Sequence, residues 1–265
     1  HWLYSSSRDI PFARPSIILP QSVYFDGFRD IAVGGDGIAI KFSHNNDNCG
    51  DFDFNFSYGT SPLSDKQTDL MLSELAQGVV KQDSDIQASF YWQPVFSPWR
   101  FGVSYLDSEF SYQASDTGDT FFDSEFDFKF YTINSLYEGE NWEFSSEIYQ
   151  ENFTIRGFYQ PLYLKSVVGQ GAYVQSRYKV SEELTLLARY ERFYNDKNDK
   201  NGEKLEEESG GFIPAYFAYH RDTSLGLSYD LSNNLRLRFE YHWFQGASRL
   251  TPVVFPNPIA NSNKH

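Results

Sequence analysis

The feature of this sequence that most restricts its fold is the alternation of aromatic with charged or polar residues at a period of two. Over residues 51–58 every second side chain is aromatic: Phe52, Phe54, Phe56 and Tyr58. The alternation recurs over residues 122–132, 142–148 and 235–243. Successive side chains of a β-strand point to opposite faces. The pattern therefore predicts strands with one apolar face and one ionic face.

Weaker alternation elsewhere raises the predicted total to roughly ten or eleven strands. These further strands lie at 30–42, 85–92, 99–112, 167–180, 184–194 and 222–231. The connections alternate in length along the chain. Short turns are predicted at 45–50, 94–98, 138–141, 181–183 and 232–234, and longer connections at 61–84, 113–121, 159–166 and 195–218. Antiparallel strands would then place the short turns at one end of the sheet and the long connections at the other.

A soluble β-sandwich and a membrane β-barrel would both show a period of two. The systematic short turns favour the barrel, and so do aromatic residues near the predicted strand ends, because indole rings favour the level of lipid headgroups. The tryptophans concerned are Trp92, Trp99, Trp142 and Trp243. We predict an all-β, antiparallel transmembrane β-barrel of the cell outer membrane, with residues 1–265 as a single domain. The complete protein is expected to have about 12–16 strands, some of them missing from this chain at both ends.

Composition excludes several other classes. Aromatic residues make up 18% of the chain, which is incompatible with disorder. The formal net charge of −14 disfavours binding to nucleic acid. No apolar stretch approaches the ~18 residues of a membrane-spanning helix. The single cysteine, Cys49, cannot form an intramolecular disulfide.

The segment RDIPFARPSIILPQSVYFDGFRD at 8–30, followed by the Gly-rich strand IAVGGDGIAIKF, resembles a segment of porin-like proteins of Gram-negative outer membranes. The similarity is to the neighbourhood of the phosphate-selective and dicarboxylate-channel porins. It implies an inward-folded loop that narrows a pore, with basic residues at the constriction. Arg8, Arg14 and Arg29 are therefore candidate constriction and solute-binding residues. The alternative is that prolines stiffen an external loop in which these arginines pair with neighbouring aspartates; the strong acidity of the chain departs from a phosphate-selective pattern.

If the apolar faces meet lipid, the charged faces line the lumen of the barrel. An acidic wall is then predicted on earlier strands, at Asp123, Glu125, Asp127, Glu143 and Glu147. A basic wall is predicted on later strands, at Arg177, Lys179, Arg189, Arg236 and Arg238. Lys129 on the acidic side and Glu191 and Glu240 on the basic side are exceptions. Opposed walls would set a transverse field across a water-filled pore. The alternative is that the charges pair across neighbouring strands.

Two connecting segments call for separate interpretation. The acidic loop 195–208 contains calcium-ligand types, but Lys197 stands where an EF-hand needs its first acid, so a solvated loop is favoured. Residues 65–77 are spaced as a short helix.

The sequence favours a channel for passive diffusion of small hydrophilic solutes, anionic ones among them, without a cofactor or metal. No nucleophile or metalloprotease motif indicates an enzyme. The expected partners are outer-membrane lipid and lipopolysaccharide, the solutes, and a second copy of the chain or an envelope protein. The alternative function is a structural barrel that anchors or encloses a partner protein.

Overall fold

The computed structural model describes residues 14–25, 36–61, 63, 72, 76–115, 118–232 and 234–249. Ten strands form one antiparallel sheet in which each strand pairs with its neighbours in chain order. They are β1 (Asp36–Asn46), β2 (Gly50–Thr60), β3 (Val79–Gln93), β4 (Trp99–Gln113), β5 (Phe122–Glu138), β6 (Trp142–Phe158), β7 (Leu164–Lys179), β8 (Leu184–Tyr194), β9 (Tyr219–Ser232) and β10 (Leu235–Gln245). The predicted all-β antiparallel architecture is confirmed.

Within the described residues, helical structure other than Leu72 lies in one connection. Between β8 and β9 lie the helix α1 (Glu203–Glu208) and a 3-10 turn (Ala215–Ala218). No helix in the described part of the chain has the length and apolar character needed to cross a bilayer. The helix predicted at 65–77 falls outside the described residues except at positions 72, 76 and 77.

The connections alternate in length as the sequence indicates. Short turns join β1 to β2, β3 to β4, β5 to β6, β7 to β8 and β9 to β10. Longer connections join the strands at the opposite end, which we call the long-loop end. The sheet is curved, and within the described residues its two edge strands, β1 and β10, are not hydrogen-bonded to each other.

The convex face carries an apolar band between two rows of aromatic rings. At the short-turn end Trp99 of β4 lies against Tyr137 of β5, with ring centroids 5.1 Å apart. Farther along the same two strands Tyr105 lies against Tyr131 at 5.2 Å. At a rise of ~3.3 Å per residue along the strand, the rows marked by Trp99 and Tyr105 are about 20 Å apart. This separation is close to the height of the apolar band of outer-membrane barrels, ~25 Å. This convex band is therefore the surface that meets lipid.

The central strands continue beyond this band, and there the two faces exchange character. β5 and β6 have 17 residues each, whereas about 9–11 residues suffice to cross a bilayer. Past Tyr131 the convex face of β5 carries Lys129, Asp127 and Glu125. The concave face of the same stretch carries Phe126 and Phe130, which are 3% and 7% exposed. Because water replaces lipid outside this part of the barrel, the aromatic side chains turn inward.

This exchange corrects part of the predicted acidic wall. Glu125 and Asp127 point to the convex face, and Asp123 is exposed at the start of β5 beside a register shift. Glu125 and Asp127 therefore do not line the lumen as predicted, since the prediction assumed that aromatic rings face lipid along the whole strand. Arg156 of β6 pairs with Asp127 at 2.6 Å on this outer surface.

Apolar residues of the concave face form two clusters. One lies at the long-loop end and includes Val80, Phe110, Phe126, Ile155 and Phe158. The other lies deeper and joins the strands to the segment 14–25. Both clusters are inside the curved sheet, so the concave face is only partly polar.

Replacing Val103 by Arg tests the position of the lipid-facing band. Val103 is on the convex face of β4 between Trp99 and Tyr105 and is 49% exposed. A guanidinium there would lie against hydrocarbon, so we expect a loss of about 2–4 kcal/mol in the free energy of unfolding. Glu109→Arg, on the same face beyond Tyr105, is the control and should change stability by about 0.5 kcal/mol or less. Equal losses in urea titrations in lipid vesicles would contradict the assigned band.

Candidate functional site

The segment 14–25 lies across the concave face of the sheet. Its residues Leu19, Val23 and Tyr24 are almost fully buried. They pack in one cluster with side chains from five strands: Leu106, Phe130, Leu136, Tyr149, Tyr173 and Phe193. An inward-folded segment is thus present in the part of the chain for which the porin resemblance implied one.

Carboxylates of the barrel wall hold the backbone of this segment. Glu240 of β10 accepts hydrogen bonds from the amides of Ile17 at 2.5 Å and Ile18 at 3.3 Å. Glu191 of β8 accepts one from the amide of Ser22 at 2.7 Å. Since charged hydrogen-bond partners are the strong ones, these contacts fix the path of the segment.

Two further wall residues complete the attachment. Arg189 donates to the carbonyl oxygen of Ile18 at 2.8 Å. Glu147 of β6 accepts hydrogen bonds from the hydroxyls of Tyr24 and, at 2.9 Å, Tyr173. Glu147 and Glu191 are both 0% exposed. A buried carboxylate is costly without donors, and the segment supplies some of the donors that these two residues have.

Gly171 of β7 permits the close approach of the segment to the wall. A Cβ atom at this position would lie 2.3 Å from the carbonyl oxygen of Ser22. Only glycine leaves room for the backbone there. A glycine at this position of β7 is therefore needed for the segment to pack against the barrel wall.

The chain that follows β10 also turns into the barrel. Arg249 donates to Glu151 of β6 at 2.9 Å. Its guanidinium lies 3.6 Å from the ring centroid of Phe193 and 4.9 Å from that of Phe25. This contact adds a second inward element beside the segment 14–25, so the concave face between β6 and β8 is covered.

Ion pairs line the concave face at the short-turn end. Arg100 pairs with Asp53 at 3.5 Å, and Arg177 with Glu143 at 2.8 Å. Arg236 pairs with Asp230 on the adjacent strand. Acidic and basic groups thus meet on the same side of the barrel. Glu143 of the predicted acidic wall and Arg177 of the predicted basic wall are direct neighbours on β6 and β7, which is the cross-strand pairing that the alternative interpretation expects.

The structure places the other predicted residues as follows. Glu147, Lys179, Arg189 and Arg238 share the concave face with these ion pairs. Arg14 begins the inward segment and is partly exposed, whereas Arg8 and Arg29 lie outside the described residues. One indication in the sequence marks Glu191 and Glu240 as special, because they are acids among the predicted basic residues. Nothing in the sequence indicated a contact role for Arg249.

The long-loop end of the concave face is held by Tyr112 of β4. Its hydroxyl donates to Asp119 at 2.5 Å and accepts from the amide of Gly78 at 2.8 Å. Burial and the bond to Asp119 raise the pKa of Tyr112 to about 12. Desolvation opposes ionisation of Asp119, but hydrogen bonds from Tyr112 and three backbone amides outweigh it and lower the pKa of this carboxyl. The pair ties two loops to the aromatic cluster.

The imidazole of His242 on the concave face lies between two carboxylates. Its Nδ1 is 2.7 Å from Asp222, and its Nε2 is 3.4 Å from Glu240. The hydroxyl of Ser224 donates to the same Asp222 carboxylate at 3.2 Å. Across the described residues no group of three or more His, Cys, Asp or Glu side chains could hold a metal ion.

Solved structures share this architecture. Salmonella typhi OmpF in complex with daunomycin aligns with a TM-score of 0.55 at 10% identity, over 91% of this chain and 64% of that one. The chain has the fold of an outer-membrane β-barrel. OmpT of Vibrio cholerae, expressed in the outer membrane, aligns with a TM-score of 0.50 at 15% identity, over 91% of this chain and 63% of that one. The chain thus spans less than two thirds of the length of either barrel. No protein-family profile and no curated protein sequence matches it.

Replacing Gly171 by Ala tests the seating of the inward segment. The added methyl group would collide with the backbone of Ser22, so we expect the segment to detach. Chymotrypsin should then cleave the folded protein after Tyr24 or Phe25 roughly tenfold faster, equivalent to ~1.4 kcal/mol of local stability.

The control for this variant is Gly169→Ala, on the same face of the same strand. There the three atoms nearest to an added Cβ atom all belong to the side chain of Glu151, and the closest is its Cγ at 2.7 Å. Since a side chain can move aside, cleavage of the segment should stay at the wild-type rate. Equal cleavage rates in the two variants would show that Gly171 has no special role.

Proposed function

We propose that this outer-membrane barrel is a channel for passive diffusion of small hydrophilic solutes. The observation that supports this proposal is the segment 14–25, which narrows the space inside the barrel without covering the whole concave face. Ser104, Thr132 and Asn134, on β4 and β5, are buried. On β2 and β3, by contrast, concave residues such as Asn55 and Gln87 are partly exposed to solvent. We expect the solute path to pass the segment on this β1–β3 side.

The locally paired charges of the concave face suit a general diffusion path. Each pair at the short-turn end presents both signs within one contact, so a polar solute finds donors and acceptors without meeting a field of one sign. The OmpF structure that shares the fold is a complex with daunomycin. A barrel of this architecture can thus hold a small organic molecule.

A preference for anions is the finer part of the proposal and rests on Arg8, Arg14 and Arg29. Arg14 stands at the start of the inward segment, is partly exposed, and lies three residues before the contact of Ile17 with Glu240 of β10. Guanidinium groups bind carboxylates and phosphates by charge-assisted, often bidentate hydrogen bonds. These three residues would bias an otherwise mixed constriction towards anionic solutes.

Planar bilayers that contain the full-length protein provide the test. We expect stepwise conductance from the wild type. The triple variant Arg8→Gln, Arg14→Gln, Arg29→Gln should shift the reversal potential in a salt gradient towards cation preference, because three positive charges leave the path. A matched variant, Lys129→Gln, removes a base from the outer surface and should leave the reversal potential unchanged.

Two results would contradict the proposal at different levels. An unchanged reversal potential in the triple variant would remove the three arginines from permeation and leave the channel itself standing. A folded and inserted protein without conductance would overturn the channel and favour the structural barrel that encloses a partner.

A further inference from the structure

The four residues that follow β10 form an inward arm, 246–249, which is held against the chain at the start of β9. The amide of Ala247 donates to the carbonyl oxygen of Tyr216 at 2.8 Å. Gly246 has a φ of 85°, a conformation that favours glycine. A Cβ atom there would lie 2.1 Å from the carbonyl oxygen of Tyr219. Backbone contacts therefore set the direction in which the arm enters the barrel.

The arm ends in an arginine that is held by a carboxylate and two aromatic rings. Arg249 donates to Glu151 of β6 at 2.9 Å, and the hydroxyl of Tyr149 donates to the same carboxylate oxygen at 2.6 Å. The guanidinium carbon lies 3.6 Å from the ring centroid of Phe193 and 4.9 Å from that of Phe25. We call Arg249, Glu151, Phe193 and Phe25 the Arg249 clamp.

The Arg249 clamp crosses the curved sheet instead of following its wall. β6 and β10 are four strand positions apart in the sheet, which is about 19 Å along its surface at ~4.8 Å per strand. The inward arm follows β10 directly, yet its arginine pairs with β6. The contact therefore spans the concave side of β7, β8 and β9.

Interior side chains on the strands that the clamp crosses are shielded from water. On β8 and β9, Phe193, His220 and Asp222 are all buried. On β2, by contrast, the concave residue Asn55 is partly exposed. The interior of the barrel thus has a closed β6–β9 side, and its polar side chains contact solvent on the β1–β3 side.

His220 indicates that this closure is more than a stabilising core. It pairs in register with Phe193, the ring that Arg249 covers, and is 4% exposed. Within the described part of the chain neither of its ring nitrogens has a hydrogen-bond partner. A buried polar group without a partner is unfavourable. A wall shaped by stability alone would favour an apolar side chain at this position.

The role of Arg249 differs from that expected of Arg14. Arg14 is partly exposed at the start of the inward segment, whereas Arg249 is 7% exposed and paired with Glu151. A guanidinium that is buried, stacked and paired has little capacity left to bind a solute anion. The effect of Arg249 on permeation would therefore be steric.

We infer that Arg249 is a positioning residue whose clamp seals the β6–β9 side of the interior and confines solutes to the β1–β3 side. This inference rests on the proposed channel function. Loss of the guanidinium would remove the ion pair and both ring contacts, while the segment 14–25 would keep its hydrogen bonds to Glu191 and Glu240. A second passage would then open beside a segment that is still seated.

Solute exclusion from vesicles that contain the full-length protein tests this role. We expect Arg249→Gln to admit larger sugars than the wild type does, in swelling assays, and to raise the conductance in planar bilayers. Arg249→Lys keeps the charge but loses the planar stacking, so its size limit should lie between those two. The matched control Arg156→Gln removes an arginine that pairs with Asp127 on the outer surface and should leave the size limit unchanged.

A purely structural role for Arg249 predicts a different result. The folded variant Arg249→Gln would then unfold at a lower urea concentration but would keep the wild-type size limit and conductance. That combination would overturn the inference.

Thiol labelling provides a readout that does not depend on conduction. In a Cys49→Ser background, His220→Cys should react slowly with a water-soluble methanethiosulfonate. Adding Arg249→Gln should speed this reaction roughly tenfold, equivalent to ~1.4 kcal/mol of local opening. Asn55→Cys, in the same background with Arg249 intact, should react fast, and this comparison survives a folding defect of the arginine variant.

The thiol rates separate failure of the clamp from failure of the channel. Equal rates at position 220 with and without Arg249 would overturn the seal. So would a rate at position 220 equal to that at position 55 when Arg249 is intact. A wild type that is inserted but does not conduct would overturn the channel, whereas the thiol rates would still decide whether the clamp closes its side of the interior.

Discussion

The height of the hydrocarbon layer is the constraint on which the rest of this structure depends. Backbone groups in lipid must be hydrogen-bonded, which the antiparallel ladder achieves for every internal strand. The convex face must also be apolar, but only between the rows marked by Trp99 and Tyr105 on β4. Beyond Tyr105 the same strand carries Asp107 and Glu109 outward, because water is the solvent there. The exchange of faces along one strand follows directly from the change of solvent.

The interior is organised by carboxylates that need hydrogen-bond donors. Glu147 and Glu191 are fully buried, and Glu240 is the third anchor. Backbone amides and a tyrosine hydroxyl of the segment 14–25 satisfy part of this need. Desolvation of an unpaired carboxylate costs several kcal/mol. Removal of the segment would therefore destabilise the barrel wall, because these carboxylates would lose hydrogen-bond donors. The inward segment is therefore an integral part of the barrel interior, and any solute path must run beside it.

The sequence predicts the strands and turns well because both depend on local pattern. The alternation from Phe52 to Tyr58 and the short turns between strands are visible within a few residues. Alternation shows which side chains share a face, but not what that face meets. Phe128 and Phe54 look alike in the sequence, yet Phe54 faces outward and Phe128 packs in the interior.

The contacts of the interior could not be predicted from the sequence for a different reason. Ile17 and Glu240 are 223 positions apart, and no local pattern links them. The pairing of Glu143 with Arg177 depends on strand register, which a list of charges along the chain does not contain. The porin resemblance pointed to an inward loop and to its arginines, whereas the contacts that hold the described segment are chiefly wall carboxylates and Arg189.

A spin-label scan along β5 tests the central claim most directly. Single cysteines would be placed from Glu125 to Tyr137 in a Cys49→Ser background, and their accessibility to oxygen and to a polar nickel complex measured in lipid vesicles. Odd-numbered positions from Tyr131 to Tyr137 should favour oxygen, because they face lipid. Odd-numbered positions from Glu125 to Lys129 should favour the nickel complex, and the even-numbered positions Phe126, Phe128 and Phe130 should be shielded from both reagents. Oxygen preference at Phe126, Phe128 and Phe130 would contradict the exchange of faces and the fold assignment built on it.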